Sequence, residues 1–259
     1  MTESVAFDEM GGTGADARLP YAQLADWLRN TPPERFEQQR RAADVLFRRL
    51  GITFAVYFEG GSTERLIPFD IVPRVLSGGE WKSMEAGLVQ RVKALNAFLH
   101  DIYHDQDILR AGKVPSDLVL TNPQYQKEMR GIDLPNRVYT HISGIDLVRT
   151  TEHQFYVLED NVRTPSGVSY MLEDREVMMR LFPELFSSHR VRPVGHYPDE
   201  LLKTLRSVAP KAAGDDPTVV LLTPGSFNSA YFEHVFLAEQ MGIELVEGSD
   251  LVVQDDMVY

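Results

Sequence analysis

The sequence predicts an α/β fold, with α+β character in its N-terminal part. Residues 219–222 form an apolar strand, residues 230–241 a helix and residues 243–246 a second strand. Strand, turn, helix and strand at this spacing predict a βαβ unit with a parallel strand pair and a right-handed crossover. The α+β character comes from helical periodicity and predicted hairpins that precede this unit.

The N-terminal part begins with a glycine-containing polar stretch, residues 1–20, which predicts a flexible arm. Apolar residues at helical spacing then predict two helices across residues 21–50, broken at Pro32-Pro33 and ended by Gly51. Two extended segments come next, and they predict a hairpin with a long polar tip and a turn at Gly60-Gly61. Its strands cover residues 53–58 and 65–75.

A strong amphipathic helix over residues 81–99 opens the middle of the chain, and a short charged helix over 101–113 continues it. Two strands are then predicted, residues 138–147 and 154–158, with a turn at 150–153. Further helices are predicted over residues 170–186 and 199–208, and a third C-terminal strand over residues 251–253.

The predicted domain organisation has three parts: the arm 1–20, a helical and hairpin part 21–209, and a Rossmann-like βαβ segment 217–259. The last residues before Tyr259 follow a strand and resemble a hairpin turn. We therefore expect this segment to be incomplete and the sequence to continue beyond Tyr259.

Charge and composition exclude several classes of function. The 259 residues include 26 Lys and Arg against 38 Asp and Glu, a formal net charge of −12, which argues against nucleic acid or an anionic membrane as a partner. The absence of cysteine excludes disulfides, thiolate zinc sites, Fe–S clusters and cysteine nucleophiles. The N-terminus lacks a signal-peptide pattern and no apolar run is long enough to span a bilayer, so we expect a cytoplasmic protein.

A candidate metal site lies at the end of the strand that carries Glu159 and Asn161. Residues i and i+2 of a strand share a face, and a carboxylate with an amide oxygen suits Mg²⁺. If the two predicted strands pair, Asp146 on the preceding strand supplies a second carboxylate. The competing interpretation is a polar strand end that leads into a turn.

Arginines near this edge are candidates for recognising phosphate or carboxylate. Arg149 and Arg163 flank the proposed metal edge, and Arg74 ends the first hairpin. Arg163, two residues after Asn161, is the strongest candidate, whereas Arg91 on the long helix is expected to be a surface or ion-paired residue.

Small and hydroxyl-bearing residues supply further candidate anion-binding groups. Ser143 precedes the first strand of the edge, and Ser166-Gly167 lie in the loop after Asn161. Asn228 and Ser229 stand where a helix N-terminus could bind an anion, although ordinary N-capping explains much of that segment. His100 and His104 are spaced as a metal pair, but the sequence shows no third ligand, so solvated or hydrogen-bonded histidines are favoured.

Several of these motifs, in this order, resemble the circularly permuted ATP-grasp type 2 family. The resemblance rests on residues 68–74, 80–103, 141–149, 159–170 and 222–234. It implies an ATP-grasp-like fold, similar to the synthetase domain of glutathionylspermidine synthase, with Mg²⁺ and ATP as cofactors. It assigns metal binding to Asp146, Glu159 and Asn161. With ATP as cofactor, the candidate residues for binding it are Arg74, Ser166 and Gly167. In the synthetase an arginine stands two residues before the first acid, where this sequence has Gly144.

The activity that the resemblance implies is the joining of a small-molecule or peptide carboxylate to an amine, through an acyl phosphate. Charge stabilisation then falls to Arg163 or Arg149, and substrate binding to Ser143, Asn228 and Ser229. Family members continue past Tyr259, so we expect this chain to be part of the ligase, inactive without a C-terminal half or another chain. The alternative is a non-catalytic binding or assembly module of the same fold. A third interpretation, a metal-dependent hydrolase, is disfavoured because the sequence has no histidine-rich site.

Overall fold

The computed structural model describes residues 7–14, 16–58, 61–255 and 257–259. The first six residues of the predicted arm, and Gly60 of the predicted turn, lie outside the described residues. The helices are α1 (Ala22–Asn30), α2 (Pro33–Leu50), α3 (Gly78–Tyr103), α4 (Asp107–Arg110), α5 (Ser116–Leu120), α6 (Val168–Leu181), α7 (Pro183–Ser188), α8 (Tyr197–Arg206) and α9 (Tyr231–Met241). The strands are β1 (Thr53–Phe58), β2 (Gly61–Leu66), β3 (Gly144–Arg149), β4 (Phe155–Asn161), β5 (Val220–Leu222), β6 (Glu244–Val246), β7 (Val253–Gln254) and β8 (Met257–Val258).

The first hairpin differs from its prediction. Strand β2 begins at Gly61, and Phe58 pairs with Gly61, so the long polar tip predicted from the sequence is wrong. Residues 67–75 follow the strand instead of forming it.

The start of β3 and the end of α6 also differ from the predicted boundaries. A side-chain hydrogen bond explains the first difference, and a proline explains the second. The predicted strand from residue 138 begins only at Gly144, since the N–H groups of Tyr139 and Thr140 donate to the Asn96 side chain of α3. The predicted single helix over residues 170–186 divides into α6 and α7 at Phe182. Pro183 has no N–H to continue the α6 ladder, but it suits the first turn of α7.

The chain folds as two compact units, each made of two segments. One unit contains Met1–Pro20 and Val75–Pro165, and the other contains Tyr21–Arg74 and Ser166–Tyr259. This division shares the boundary after residue 20 with the predicted domains but differs elsewhere. The predicted domain ranges stay predictions.

The first unit is built on the long helix α3. Ser77 begins it with a capping box, in which its hydroxyl accepts from the Glu80 N–H and the Glu80 carboxylate accepts from the Ser77 N–H. At the other end of the helix, Ile102 and Tyr103 are buried with Leu109 of α4. The β3–β4 hairpin belongs to the same unit.

The second unit has its core on α1, α2 and α6. Leu24, Phe47 and Val177 are fully buried there, and Phe182 packs edge-on against Trp27 with the ring centroids 5.3 Å apart. Gly51 ends α2 in the left-handed conformation, as the sequence predicts.

The C-terminal part of the second unit contains the predicted parallel pair. Strand β5 pairs in parallel with β6, and α9 connects them. The predicted third strand is a member of a separate antiparallel hairpin, in which β7 pairs with β8. The parallel pair is therefore confirmed, and the description of this segment as Rossmann-like stays a prediction.

Within the described residues, no helix combines the length and the apolar character that crossing a membrane requires. The cytoplasmic location stays a prediction.

Candidate functional site

The β3–β4 hairpin brings the three predicted metal-binding residues onto one face. Asp146 lies directly opposite Glu159 in the antiparallel ladder, and Gly144 lies opposite Asn161. Residues directly opposite one another project from the same side of such a pair, with Cβ atoms about 4.5–5.5 Å apart. Glu159 and Asn161 are two residues apart on β4, so all three side chains share a face.

A β-bulge in β4 produces this arrangement. Asp146 pairs with Glu159 whereas the next residue, Leu147, pairs with Val157, which leaves Leu158 as the extra residue. Without the bulge, strict alternation would put Glu159 on the same face as Phe155 and Val157. With it, Glu159 joins Asp146.

The shared face offers side-chain oxygens that make no hydrogen bond or ion pair with any of the residues that the structure describes. Asp146 and Glu159 are exposed and Asn161 is half-buried. Within the described part of the chain, no hydrogen-bond or ion-pair partner faces these three side chains. Two carboxylates directly across a strand pair repel each other, and a hard divalent cation would convert that repulsion into attraction. The donor set therefore fits Mg²⁺.

The opposite face of the hairpin packs towards α3. Asp160 accepts two hydrogen bonds from Arg91, at 2.7 Å from Nε and 2.5 Å from Nη2. These hydrogen bonds lower the pKa of the Asp160 carboxyl. Arg91 is thus ion-paired, as the sequence predicts, and its guanidinium holds the hairpin on the helix.

A shallow apolar groove of about 410 Å³ lies between α3 and the start of β3. Leu88, Val92 and Ile145 line it together with Ser143. The Ser143 hydroxyl oxygen is buried and has no hydrogen-bond partner in the described part of the chain. Its predicted role in substrate binding stays a prediction, and an unsatisfied hydroxyl is consistent with it.

Arg149 lies on the packed face of β3 within a buried network of charges. Its side chain is 1% exposed and donates to Glu80 at 2.5 Å and to the backbone carbonyl oxygens of Thr151 and Glu152. Arg18 also donates to Glu80. These contacts occupy the Nε and Nη2 groups of Arg149, which a phosphate would otherwise bind. The geometry therefore favours a structural role for Arg149.

The same network controls the ionisation of Glu80. Burial acts to raise the pKa of the Glu80 carboxyl, but hydrogen bonds from the Ser77 N–H and hydroxyl, Arg149 and Arg18 outweigh it and lower the pKa to about 2. Glu80 therefore combines helix capping with charge compensation of two arginines. The capping-box spacing Ser77–Glu80 is a signal that sequence reading could have used.

Arg163 follows the metal face and differs from Arg149. It is exposed and has no ion-pair or hydrogen-bond partner in the described part of the chain. Arg74, the other predicted phosphate-binding arginine, belongs to the second unit. Of the arginines in the first unit that flank the metal face, Arg163 is the one whose guanidinium remains available.

Gly144 stands where the synthetase has an arginine, and the structure gives a steric reason why this chain carries glycine there. A Cβ atom at this position would lie 2.8 Å from Cβ of Pro165. The loop after β4 therefore passes over Gly144 too closely for any side chain.

In the second unit, a buried carboxylate organises the predicted Ser166-Gly167 loop. Glu233 of α9 is 4% exposed and accepts from the N–H groups of Gly167 and Ser169 and from the Ser169 hydroxyl, at 2.7–3.0 Å. It caps the N-terminus of α6, whose N-cap residue Gly167 offers no side chain. The Gly167 N–H is thus engaged by the protein, while the exposed Ser166 keeps its predicted role as a prediction.

Asn228 and Ser229 precede α9 as predicted, but neither is the N-cap. Ala230 occupies that position without a side-chain cap, and the Asn228 side chain accepts from the Ala230 N–H at 2.9 Å. Asn228 therefore closes a local turn. The substrate-binding role proposed for the two residues stays a prediction.

Comparison with known proteins identifies the family. A family described as a circularly permuted ATPgrasp matches residues 73–259. This match covers β3 and β4 with the three candidate oxygen ligands, as well as the parallel pair β5–β6. The chain belongs to the circularly permuted ATP-grasp family.

Relatives extend over nearly the whole chain. An uncharacterized protein of Synechocystis sp. is 48% identical over 249 residues, which are 96% of this chain and 52% of the relative. An uncharacterized protein of Mycobacterium tuberculosis is 47% identical over 99% of this chain and 46% of its own length. A protein of Frankia casuarinae named putative glutamate--cysteine ligase 2-2 is 36% identical over 99% of this chain and 30% of its own length. The chain spans about half the length of the first two relatives.

Proposed function

We propose that this chain is part of an ATP-dependent ligase that joins a carboxylate to an amine through an acyl phosphate, with Mg²⁺ as cofactor. The observation that carries the proposal is the pairing of Asp146 with Glu159, with Asn161 on the same face. Family membership and the names of the Frankia relatives support the reaction class. We also propose that the ligase resembles glutathionylspermidine synthase and that its substrates are a small-molecule or peptide carboxylate and an amine. Its activity would require a C-terminal half or another chain in addition to these residues.

In this proposal Asp146, Glu159 and Asn161 hold Mg²⁺ through their side-chain oxygens. A bound Mg²⁺ supplies charge neutralisation for the phosphate oxygens of ATP during phosphoryl transfer. The strand pairing places the two carboxylates opposite each other before any ligand arrives, so binding a metal requires no rearrangement of the backbone. The side-chain oxygens of Asp146, Glu159 and Asn161 have no partner among the described residues, and this supports the proposal that the face binds a cation.

Arg163 completes the charge balance. Its guanidinium, two residues past Asn161, has no partner among the residues that the structure describes. It would stabilise negative charge on the transferred phosphoryl group or on the carboxylate substrate. Arg149 serves the same site indirectly, because its network with Glu80 fixes the hairpin on α3.

Metal binding can be measured directly on this chain with Mn²⁺ as a paramagnetic substitute for Mg²⁺. We expect Asp146→Asn and Glu159→Gln to weaken Mn²⁺ binding, measured by electron paramagnetic resonance, by at least about tenfold each, since each removes one charged ligand. The matched control is Asp117→Asn in the same unit, where the carboxylate is exposed. Equal Mn²⁺ affinity in all four proteins would contradict the metal assignment.

The reaction class needs a second experiment, on a polypeptide that carries this chain and the coding sequence after it. With ATP, Mg²⁺ and the acid substrate, hydroxylamine should trap an acyl phosphate as a hydroxamate. Asp146→Asn and Arg163→Ala should reduce the rate of trapping by about 100-fold or more, the usual effect of losing one charge-stabilising group. Product formation without ATP would overturn the ligase proposal, and an unchanged rate in both variants would favour the non-catalytic module.

A further inference from the structure

Two histidines near the C-terminal end of α3 and one aspartate form a cluster that the proposed function does not use. One ligand atom each of His100, His104 and Asp133 lie within 4.8 Å of one another. The histidines are one helical turn apart, with ring centroids separated by 4.1 Å. From the sequence, the spacing of the two histidines fits a metal pair, but solvated or hydrogen-bonded histidines are favoured because no third ligand is evident. The third member of the cluster follows His104 by 29 residues.

Hydrogen bonds at the far ring nitrogens orient both imidazoles. His104 Nδ1 lies 2.9 Å from the backbone carbonyl oxygen of His100. A carbonyl oxygen can only accept, so Nδ1 carries the proton and Nε2 of the neutral ring keeps its lone pair. His100 Nδ1 lies 3.2 Å from the Tyr139 hydroxyl, which can donate or accept. When the hydroxyl accepts, Nδ1 carries the proton and the His100 Nε2 keeps its lone pair. Histidine ligands of metals are normally fixed in this way, through the nitrogen that does not bind the metal.

The Nε2 atom of His104 has an unusual environment. It is buried and makes no hydrogen bond within the described part of the chain, although Asp133 Oδ1 is only 3.3 Å away. The two atoms are thus close but not aligned as donor and acceptor. Two ligands of a tetrahedral Zn²⁺, each about 2.0–2.1 Å from the metal, are separated by about 3.4 Å. The 3.3 Å between His104 Nε2 and Asp133 Oδ1 is compatible with a metal shared by these two atoms, and the His100 ligand atom lies within 4.8 Å of both.

The position of Asp133 is fixed by the fold. The loop that carries it is attached to the end of α3 by the Gly131 N–H, which donates to the Tyr103 carbonyl oxygen at 2.8 Å. Tyr103 itself is buried and stacks on Tyr125 and Tyr139. The Asp133 side chain is 86% exposed, so one side of the cluster is open to solvent.

We propose that His100, His104 and Asp133 form a Zn²⁺ site. Two imidazole nitrogens and a carboxylate oxygen are typical ligands for zinc, and the exposed side leaves the fourth position to water. Imidazole donors also distinguish this site from the oxygen-only face of Asp146, Glu159 and Asn161, which suits Mg²⁺.

The test is a calorimetric titration of the metal-free chain with Zn²⁺ in the presence of excess Mg²⁺, which measures the stoichiometry and the affinity. The melting temperature is then measured with and without Zn²⁺. We expect one Zn²⁺ per chain, a higher melting temperature with Zn²⁺, and a tetrahedral visible spectrum with Co²⁺ as substitute. His104→Ala and His100→Ala should weaken binding by roughly 100-fold, and Tyr139→Phe, which loosens His100, by roughly tenfold.

Matched controls separate ligand loss from unfolding. Asp133→Asn alters an exposed side chain and should lose Zn²⁺ affinity with an unchanged metal-free melting temperature. His153→Ala and Asp117→Asn change an exposed histidine and an exposed aspartate of the same unit and should bind Zn²⁺ as the unaltered chain does. Failure of the chain to bind Zn²⁺ at micromolar concentration, or full affinity in His104→Ala and Asp133→Asn, would overturn the proposal.

Discussion

At the scale of single residues, the most consequential side chain outside the metal face is Glu80. One carboxylate caps α3, neutralises the buried Arg149 and accepts from Arg18. Because the Arg149 side chain is 1% exposed, protein groups must balance its positive charge, and Glu80 at 2.5 Å is nearer than Glu9 at 3.5 Å. The position of the β3–β4 hairpin therefore depends in part on Glu80, which precedes Arg149 by 69 residues in the sequence.

We predict that Glu80→Gln lowers the free energy of unfolding at pH 7 by about 3 kcal/mol, since it leaves a buried guanidinium without its main counter-charge. Glu85→Gln, an exposed position on the same helix, should change it by less than about 0.5 kcal/mol. Chemical denaturation followed by circular dichroism measures both. Equal stability of the two variants would show that Glu80 does not stabilise the network.

This contribution should also depend on pH. The folded pKa of Glu80, about 2, lies below its ordinary value of 4.5. A depressed carboxyl pKa stabilises the folded state above the ordinary value, and that stabilisation is lost as the pH falls from 4.5 towards 2. The difference in stability between the unaltered chain and Glu80→Gln should therefore shrink across this range of pH.

At the scale of elements, two local features determine where candidate groups lie. The bulge in β4 places Glu159 beside Asp146, and Glu233 of α9 caps the N-terminus of α6. Both act on backbone geometry. The bulge and the Glu233 cap are visible in the hydrogen-bond pattern of the folded chain and not in the residue types of the sequence.

We predict that Glu233→Gln destabilises the second unit by about 1–3 kcal/mol, because an amide group would turn a donor towards the Gly167 and Ser169 N–H groups. Glu239→Gln on the exposed side of α9 is the matched control. Hydrogen exchange should show faster exchange at Ser169 in the first variant only. If exchange at Ser169 is unchanged, the cap is not a determinant of α6 stability.

At the scale of the whole molecule, the net charge of −12 is the dominant electrostatic property. Like charges repel across the surface when salt is low, because the screening length is about 30 Å at 0.01 M and about 8 Å at 0.15 M. The buried Arg149–Glu80 pair is screened much less. Salt should therefore relieve repulsion more than it weakens that ion pair.

We predict that raising NaCl from 0.01 M to 0.15 M at pH 7.5 increases the melting temperature by about 2–4 °C, which corresponds to about 1 kcal/mol for a chain of this size. Near pH 5.0, where the sequence is isoelectric, the increase should disappear. Calorimetry measures both. A fall in melting temperature with salt at pH 7.5 would mean that attractive surface pairs outweigh the net repulsion.

The sequence alone identified the family, the three candidate oxygen ligands, the helix breaks at Pro32-Pro33 and Gly51, and the parallel pair β5–β6. These features depend on local conformational preference or on the motif order of the family, both of which the order of residues encodes directly.

Register and long-range contact came only from the folded chain. Strict alternation cannot anticipate the extra residue Leu158, and yet that residue determines which face carries Glu159. The engagement of Arg149 by Glu80 and the approach of Asp133 to His104 join residues 69 and 29 positions apart. No sequence spacing reports such contacts, because they arise when packed elements bring distant segments together.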